Sequence, residues 1–284
     1  MLDFRYHALT LVAVFLALGI GIVLGSSLGD TVVSQANKDI AASLRADLSS
    51  ARADARDAHA AVTERERLID QVFSRTATKK LKDRAVAIVG SGDLGQTLQT
   101  EVKGAITKAG GKVTTVFELR SPPNLSALGA AVGGDFADLQ PGDHRLRALG
   151  RRIGEAATHG GKVAHDLEKQ FPGRFSGSLG PVDAIAFYRD PRARRTADDQ
   201  QIEQGVIEGI RAAGHPVVGF ERVDTDPSQI SFYSNQGLSS VDDVDTAGGR
   251  LALVLALDGA RGNFGYKKTA DAPLPKKQGP SASP

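Results

Sequence analysis

A run without any charged side chain covers residues 6–29, close to the start of the chain. A helix needs about 20 consecutive apolar residues to cross the hydrocarbon core of a bilayer, and this run, flanked by Arg5 and Asp30, is long enough. The apolar part of a cleaved signal peptide usually has only about 7–15 residues, and no clean A-x-A cleavage site follows here. The sequence therefore predicts an uncleaved transmembrane anchor, with a cleaved signal peptide as the alternative.

Small residues recur at every fourth position of this segment. They give the predicted helix one stripe with almost no side-chain volume, along which two backbones can approach closely, as in small-xxx-small pairs. The alternative is that these residues are simply frequent, since the chain has 32 Gly. We predict that the stripe is the helix-pairing face of a homodimer, formed by Ala13, Ala17, Gly21, Gly25 and Gly29.

The amino terminus and Arg5 form the basic cluster next to the predicted membrane helix. By the positive-inside rule this end stays in the cytoplasm, which makes the bulk of the chain extracytoplasmic. The chain has no Cys, which fits an exported protein without disulfides, although many cytosolic proteins also lack cysteine. The sequence therefore predicts a single-pass membrane protein with a cytoplasmic N-terminus.

Residues 30–81 contain neither Pro nor Gly and are rich in Ala, Arg, Asp and Glu. This composition predicts one continuous helix. From Leu44 to Val72 the less polar residues follow alternating steps of four and three, with Arg65 as the departure, and this spacing is typical of a heptad seam. An isolated polar helix is marginal in water, so we predict a coiled-coil stalk that pairs two copies; the alternative is a single solvated helix.

Residues 82–260 alternate between patterns typical of strands and patterns typical of amphipathic helices, which predicts one α/β domain with a mostly parallel, Rossmann-like sheet and helices on its faces. The predicted strands are the apolar or β-branched runs 85–89, 113–117, 182–188 and 217–220.

Two segments near the end of the chain depart from this strand and helix alternation. Residues 251–257 form an apolar run with Thr246 as a possible cap and Gly259 as a stop, which favours a short buried helix over a last strand. Residues 261–284 are rich in Pro, Lys, Ser and Gly, which predicts a disordered tail.

One glycine-rich motif, Gly90-Ser-Gly92-Asp-Leu-Gly95, follows the first predicted strand and opens the first predicted helix. This is the context of a dinucleotide-binding fingerprint, and Glu118, near the end of the second strand, is placed to reach a ribose hydroxyl. The alternative is that any parallel α/β domain needs glycines at its first tight turn. Because no substrate site follows, we predict no catalytic residue and no cofactor, and keep these four residues as an alternative nucleotide site.

The residues that bind transition metals are scarce. The chain has no Cys and one Met, which is the initiator, whereas soft copper sites prefer thiolate and thioether ligands. His159, His165 and Asp166 form the closest cluster, and a solvated helix end explains them equally well. We predict no metal site.

Several segments together resemble one known family. They are residues 4–7 (Phe-Arg-Tyr-His), the apolar runs 11–18 and 21–25, the stretch 237–246, and residues 251–257 with 264–266. Over nearly its full length the chain is similar to the actinobacterial MctB family, named for mycobacterial copper transport protein B. The resemblance implies an envelope protein connected with copper export, which some accounts place in the outer membrane as a channel, and whose relatives are linked to cell division through a membrane-bound complex.

The residues and the resemblance disagree about copper, because a chain without thiol ligands and with one apolar helix is unlike a copper carrier. We therefore take copper from the resemblance alone. The prediction is a dimeric structural or regulatory binding module without catalysis, with an unidentified envelope protein as partner and no role in binding nucleic acid. The alternatives are a pore-forming subunit of a copper transporter and a nucleotide-binding α/β protein.

Overall fold

A long N-terminal helix opens the computed structural model, which describes residues 4–171 and 174–276. This helix, α1, spans Phe4–Thr76. Its segment Tyr6–Gly25 has a mean hydropathy of 2.6, and among the described residues it is the one helix long and apolar enough to cross a membrane. The segment fits a single-pass anchor or a signal sequence.

The chain divides into two units between Glu64 and Arg65. In the first unit, the side chains of the predicted seam are exposed in the single chain, including Leu44, Leu48 and Val62. Pairing through this seam stays a prediction.

The second unit is built on one seven-stranded sheet in the order β3-β2-β1-β4-β5-β6-β7. All neighbouring strands are parallel except β2 and β3, which are antiparallel. The mostly parallel α/β sheet is therefore confirmed. The strands are β1 (Ala85–Ser91), β2 (Lys112–Leu119), β3 (Phe175–Gly177), β4 (Ala184–Arg189), β5 (Val217–Phe220), β6 (Ser239–Val241) and β7 (Asn263–Phe264).

Helices cover both faces of this sheet, as the apolar strands require. In β1, Val86 and Ile88 belong to one apolar core and Ala87 and Val89 to the other, because successive side chains of a strand point to opposite faces. The helices are α2 (Gln96–Lys108), α3 (Leu125–Val132), α4 (Leu146–His159), α5 (Lys162–Gln170), α6 (Ala197–Ala212), α7 (Ile230–Asn235) and α8 (Ala247–Leu257), with a 3-10 turn at Gly134–Phe136.

The compact domain begins before the predicted boundary at residue 82. Phe73, at the end of α1, and Ala77 and Leu81, just after it, are buried in the core that also contains α2 and α8. Ile69 packs against the same core. The last turns of the predicted stalk are thus part of the domain, because their apolar residues cover one face of the sheet.

The end of the chain corrects one expectation and resolves another. Residues 247–257 form a buried helix, and the Thr246 hydroxyl accepts a hydrogen bond from the Gly249 N–H, so the short-helix interpretation is confirmed. The tail predicted from residue 261 is partly structured: β7 pairs with β6, and Lys267 forms an ion pair of 2.6 Å with buried Glu221. Residues 277–284 of the predicted tail lie outside the described residues.

Helices α4 and α6 cross with their backbones in direct contact. A Cβ at any of four glycines on this crossing would overlap a carbonyl oxygen of the opposite helix. Only glycine permits so close an approach. The four are Gly150 and Gly154 on α4, and Gly205 and Gly209 on α6.

Candidate functional site

The candidate site lies at the carboxyl ends of β1 and β4, where the strand order reverses direction. From β1 the chain proceeds to β2 on one side, and later to β4 on the other. In open α/β sheets this switch point is where ligands usually bind. The pairing register brings Gly90 beside Glu118 of β2, and Ser91 beside Arg189 of β4.

The glycine motif has the local context that the sequence predicts. β1 ends at Ser91, and Gly95 is the N-cap of α2 with a φ of 70°. Gly92, with a φ of 106°, donates its N–H to the Leu119 carbonyl at 2.9 Å. The motif therefore forms a strand–turn–helix, and its left-handed residues are glycine for conformational reasons.

The space around these glycines is occupied by the chain itself. A Cβ at Gly92 would overlap the Cβ of Asp190, and one at Gly90 would lie 3.5 Å from the Glu118 Cγ. In a dinucleotide-binding turn, the second glycine leaves room for the pyrophosphate. Here that glycine makes room for Asp190, so the motif is explained by packing.

Glu118 is close to the turn but is engaged by a neighbour. Its carboxylate lies 3.3 Å from the Arg120 guanidinium. Beside this pair is an open cleft of about 380 Å³ whose charged lining consists of Asp93, Arg120, Asp190 and Arg194. Two arginines and two aspartates balance, so the cleft carries no strong preference for a charged ligand.

A buried cluster of charged side chains lies at the switch point, next to this cleft. The Glu203 carboxylate, on α6, is only 2% exposed and lies 3.0 Å from Arg189 Nε and 3.2 Å from Arg195 Nε. The Ser91 hydroxyl donates to the same carboxylate at 2.5 Å. Arg195 also donates to the carbonyl oxygens of Ser91 and Asp190, each at 2.8 Å. We call Glu203, Arg189, Arg195 and Ser91 the switch-point cluster.

The switch-point cluster ties α6 to the ends of two central strands. Arg189 is further fixed by Gln229, whose side-chain oxygen accepts a hydrogen bond, and by the Phe232 ring, whose centroid lies 4.1 Å from the guanidinium carbon. Two guanidinium groups face one carboxylate, so every oxygen of Glu203 is satisfied. The arrangement holds side chains in place where related folds hold a ligand.

Sequence reasoning singled out the glycine motif and Glu118 but missed this cluster. A signal was present, because residues 189–195 place four arginines directly after a central strand. A second signal was Glu203, which lies next to Ile202 on the buried face of α6.

His159 and His165, the closest metal candidates, do not converge on a common site. His159 Nδ1 lies 2.8 Å from the Thr158 hydroxyl, at the end of α4. Asp166 is paired with Lys162, which lowers the pKa of that carboxyl. Among the described residues, no group of three His, Cys, Asp or Glu side chains is arranged to hold a metal ion.

Another buried carboxylate, Asp243, lies after β6 and before α8. It is 1% exposed; its Oδ2 accepts a hydrogen bond from the Thr246 hydroxyl at 2.9 Å, while its Oδ1 has no partner among the described residues. Burial is the main cause that raises the pKa of Asp243 to about 6; the neighbouring carboxylates of Asp242, Asp245 and Glu66 contribute to the rise, and the hydrogen bond from Thr246 opposes it.

Replacement of Asp243 by Asn is expected to flatten the pH dependence of unfolding. The pKa of this carboxyl in the folded domain, about 6, lies above its ordinary value of 3.8, so the folded state holds the proton more tightly. The stability that Asp243 contributes is complete below pH 3.8 and is lost as the pH rises through about 6. Thermal unfolding of both proteins between pH 4 and pH 7 measures the difference, and parallel curves would contradict the assignment.

Comparison with known proteins gives one family. The model of a family described as "Copper transport outer membrane protein, MctB" matches residues 1–148 and 192–275, more than half of the chain. The match contains the glycine motif, Glu118 and Glu203, whereas β4 and Arg189 fall in the unmatched segment. A comparison with curated proteins found no match.

A solved structure, the catalytic subunit of M. jannaschii aspartate transcarbamoylase, is similar at 11% sequence identity with a TM-score of 0.19. The similarity covers 69% of this chain and 92% of that chain. A TM-score this low supports no argument about this protein.

Proposed function

The chain belongs to the MctB family, and from this premise we propose that it is a membrane-anchored envelope protein that acts as a homodimeric structural or regulatory binding module. Copper transport is the process that the family's description supplies. In this proposal the protein contributes to that process through a protein partner in the envelope, without catalysis.

The observation that carries the proposal is the apolar segment Tyr6–Gly25, which among the described residues is the one helix segment long and apolar enough to cross a membrane. A chain with one such segment and a separate folded unit is suited to hold that unit at a bilayer. Small residues support close helix pairing in lipid, and Gly21 and Gly25 have open space at their Cβ positions.

The proposal assigns no catalysis because the switch point is filled by the chain's own groups. Asp190 fills the space at Gly92, and the switch-point cluster occupies the edge between β1 and β4. A pyrophosphate placed at the second glycine of the motif would have to displace the Asp190 side chain.

The proposed orientation follows from charge and from the family. Arg5 at the amino terminus stays in the cytoplasm, and the domain is extracytoplasmic. The family's description names the outer membrane.

Cysteine crosslinking tests the dimer directly, because the chain has no native Cys. Leu48 lies on the predicted seam and is exposed in the single chain. Ser50 lies on the opposite side of α1, because two residues turn a helix by about 200°. We expect Leu48→Cys to give a covalent dimer in cells with a short bis-maleimide, and Ser50→Cys to give much less. Equal crosslinking at both positions would contradict a specific seam.

Copper titration separates the binding module from a copper carrier. The purified, tag-free chain is expected to bind neither Cu(I) nor Cu(II) tightly in competition with a chelator, because soft ligands are absent from its sequence apart from the initiator Met. His159 is engaged by Thr158, and Asp166 is paired with Lys162. Stoichiometric, tight binding that disappears when His159 and His165 are replaced by Asn would overturn the proposal and favour the transporter.

A further inference from the structure

A further pocket lies at the amino ends of the strands, where β5, β6 and β7 begin; the switch point lies at the carboxyl ends of β1 and β4. Its volume is about 520 Å³, within the range of small-molecule sites. The basic side chains that line it are Arg211, His215 and Arg261, and no Asp or Glu is part of its lining. We call it the amino-edge pocket.

The basic side chains of this pocket form no ion pair within 4.0 Å among the described residues. The nearest carboxylates have other partners: Asp258 pairs with Lys80 at 3.1 Å and Arg84 at 3.2 Å, and Glu208, which also attracts Arg211, pairs with Arg147. The donors in the pocket are therefore available to a ligand.

The Arg211 guanidinium lies beside the turn that ends α7. Gly237 in this turn has a φ of 68°, a conformation that favours glycine, and a Cβ on it would come within 3.1 Å of the Arg211 Nη2. This contact places the end of the Arg211 side chain at the lining of the pocket.

Two features oppose an anion, and their size decides the balance. Helices α6, α7 and α8 end at this pocket, and each C-terminus carries at most about half a negative charge. Asp271 lies at the rim, where its Oδ2 accepts the Asn263 N–H at 2.8 Å. The three helix ends offset at most about one and a half of the two full arginine charges, and Asp271 is exposed to water, which screens it.

We propose that the amino-edge pocket binds a small molecule that carries a phosphate group. Guanidinium groups bind phosphate and carboxylate with paired hydrogen bonds. A phosphate monoester offers three terminal oxygens to the three basic side chains, whereas a carboxylate offers two. Phosphate is therefore the better match to this lining, and the site is independent of the glycine motif and of copper.

Calorimetric titration of the purified full chain in detergent micelles at low ionic strength tests the proposal, with phenyl phosphate as the probe and benzoate as the carboxylate control. The combined variant Arg211→Gln and Arg261→Gln is expected to weaken phenyl phosphate binding at least tenfold. Asp271→Asn is expected to tighten it, because the variant removes the opposing charge and keeps an oxygen for the Asn263 N–H. Arg152→Gln, which removes an exposed charge on α4 that is paired with Glu155, is expected to change nothing.

Weaker binding of phenyl phosphate by the arginine variant and tighter binding by the Asp271 variant, with no change in the Arg152 variant, would distinguish this pocket from nonspecific attraction to the charged surface. No binding of phenyl phosphate, equal binding by the arginine variant and the native chain, or equal affinity for benzoate would each overturn the proposal. The variants alter exposed side chains, and circular dichroism of each protein checks that the domain is folded.

Discussion

Replacing Glu203 with Gln is expected to destabilise the α/β domain by about 3–5 kcal/mol, because the change leaves two largely buried guanidinium groups without a countercharge. The Glu203 side chain is 2% exposed, and those of Arg189 and Arg195 are 18% and 8% exposed. Gln keeps the shape of the side chain and an acceptor oxygen for the Ser91 hydroxyl. The loss therefore measures the charge, not a cavity.

Glu208→Gln is the matched control, since it makes the same change on the same helix. The Glu208 carboxylate pairs with Arg147 at the surface and is 38% exposed. Exposed ion pairs contribute only about 0–1 kcal/mol. Hydrogen exchange of the amides in β1 and β4 measures the opening free energy of both variants in the full chain. Equal losses in the two variants would show that the switch-point cluster does not hold these strands together.

The switch-point cluster shows why the sequence predicts the strand, turn and helix of the candidate site better than the side chains that meet there. A strand, a glycine turn and a helix are local patterns, and β1, Gly95 and α2 follow from them. The cluster joins Ser91 to Arg189 and Glu203, which lie about a hundred positions later in the chain. Only the strand order places β4 beside β1, and no local pattern specifies that order.

The glycine motif is the opposite case: the local pattern correctly predicts the turn, but the dinucleotide binding that usually accompanies such a turn does not follow from it. Gly90, Gly92 and Gly95 lie in the expected turn. The residue that fills the space at Gly92 is Asp190, about a hundred positions away. Sequence alone therefore cannot distinguish a glycine that admits a ligand from one that admits a side chain.

The domain boundary was misplaced for a related reason. The composition and spacing of residues 30–81 predict a coiled-coil stalk that ends at residue 81, and most of the segment is helical. Its last apolar residues, including Phe73 and Leu81, lie beyond the predicted seam, which ends at Val72, and are buried in the core of the domain. These residues pack against the sheet because the apolar core that they share with α2 and α8 would otherwise be exposed to water.

Gly205→Ala is the second substitution with a large expected effect on stability. Helix propensity predicts that it stabilises the domain, whereas packing predicts that it destabilises the domain. In an isolated helix this change stabilises by up to about 1 kcal/mol, because Ala loses less backbone entropy than Gly. In α6 the new Cβ would overlap the Arg147 carbonyl oxygen and lie 2.8 Å from the Arg151 nitrogen. Both atoms belong to the backbone of α4 and cannot rotate away, so α4 and α6 must separate.

We expect this separation to destabilise the domain by about 3 kcal/mol, at the upper end of overpacking effects, because three other glycines share the same crossing. Gly104→Ala is the control: it makes the same change within α2, where a Cβ meets nothing within 4 Å. That variant is expected to be stabilised by up to about 1 kcal/mol. Thermal unfolding of both variants decides between the two effects. A stabilised Gly205→Ala protein would mean that the crossing can relax, and the four glycines would then reflect only the composition of a glycine-rich chain.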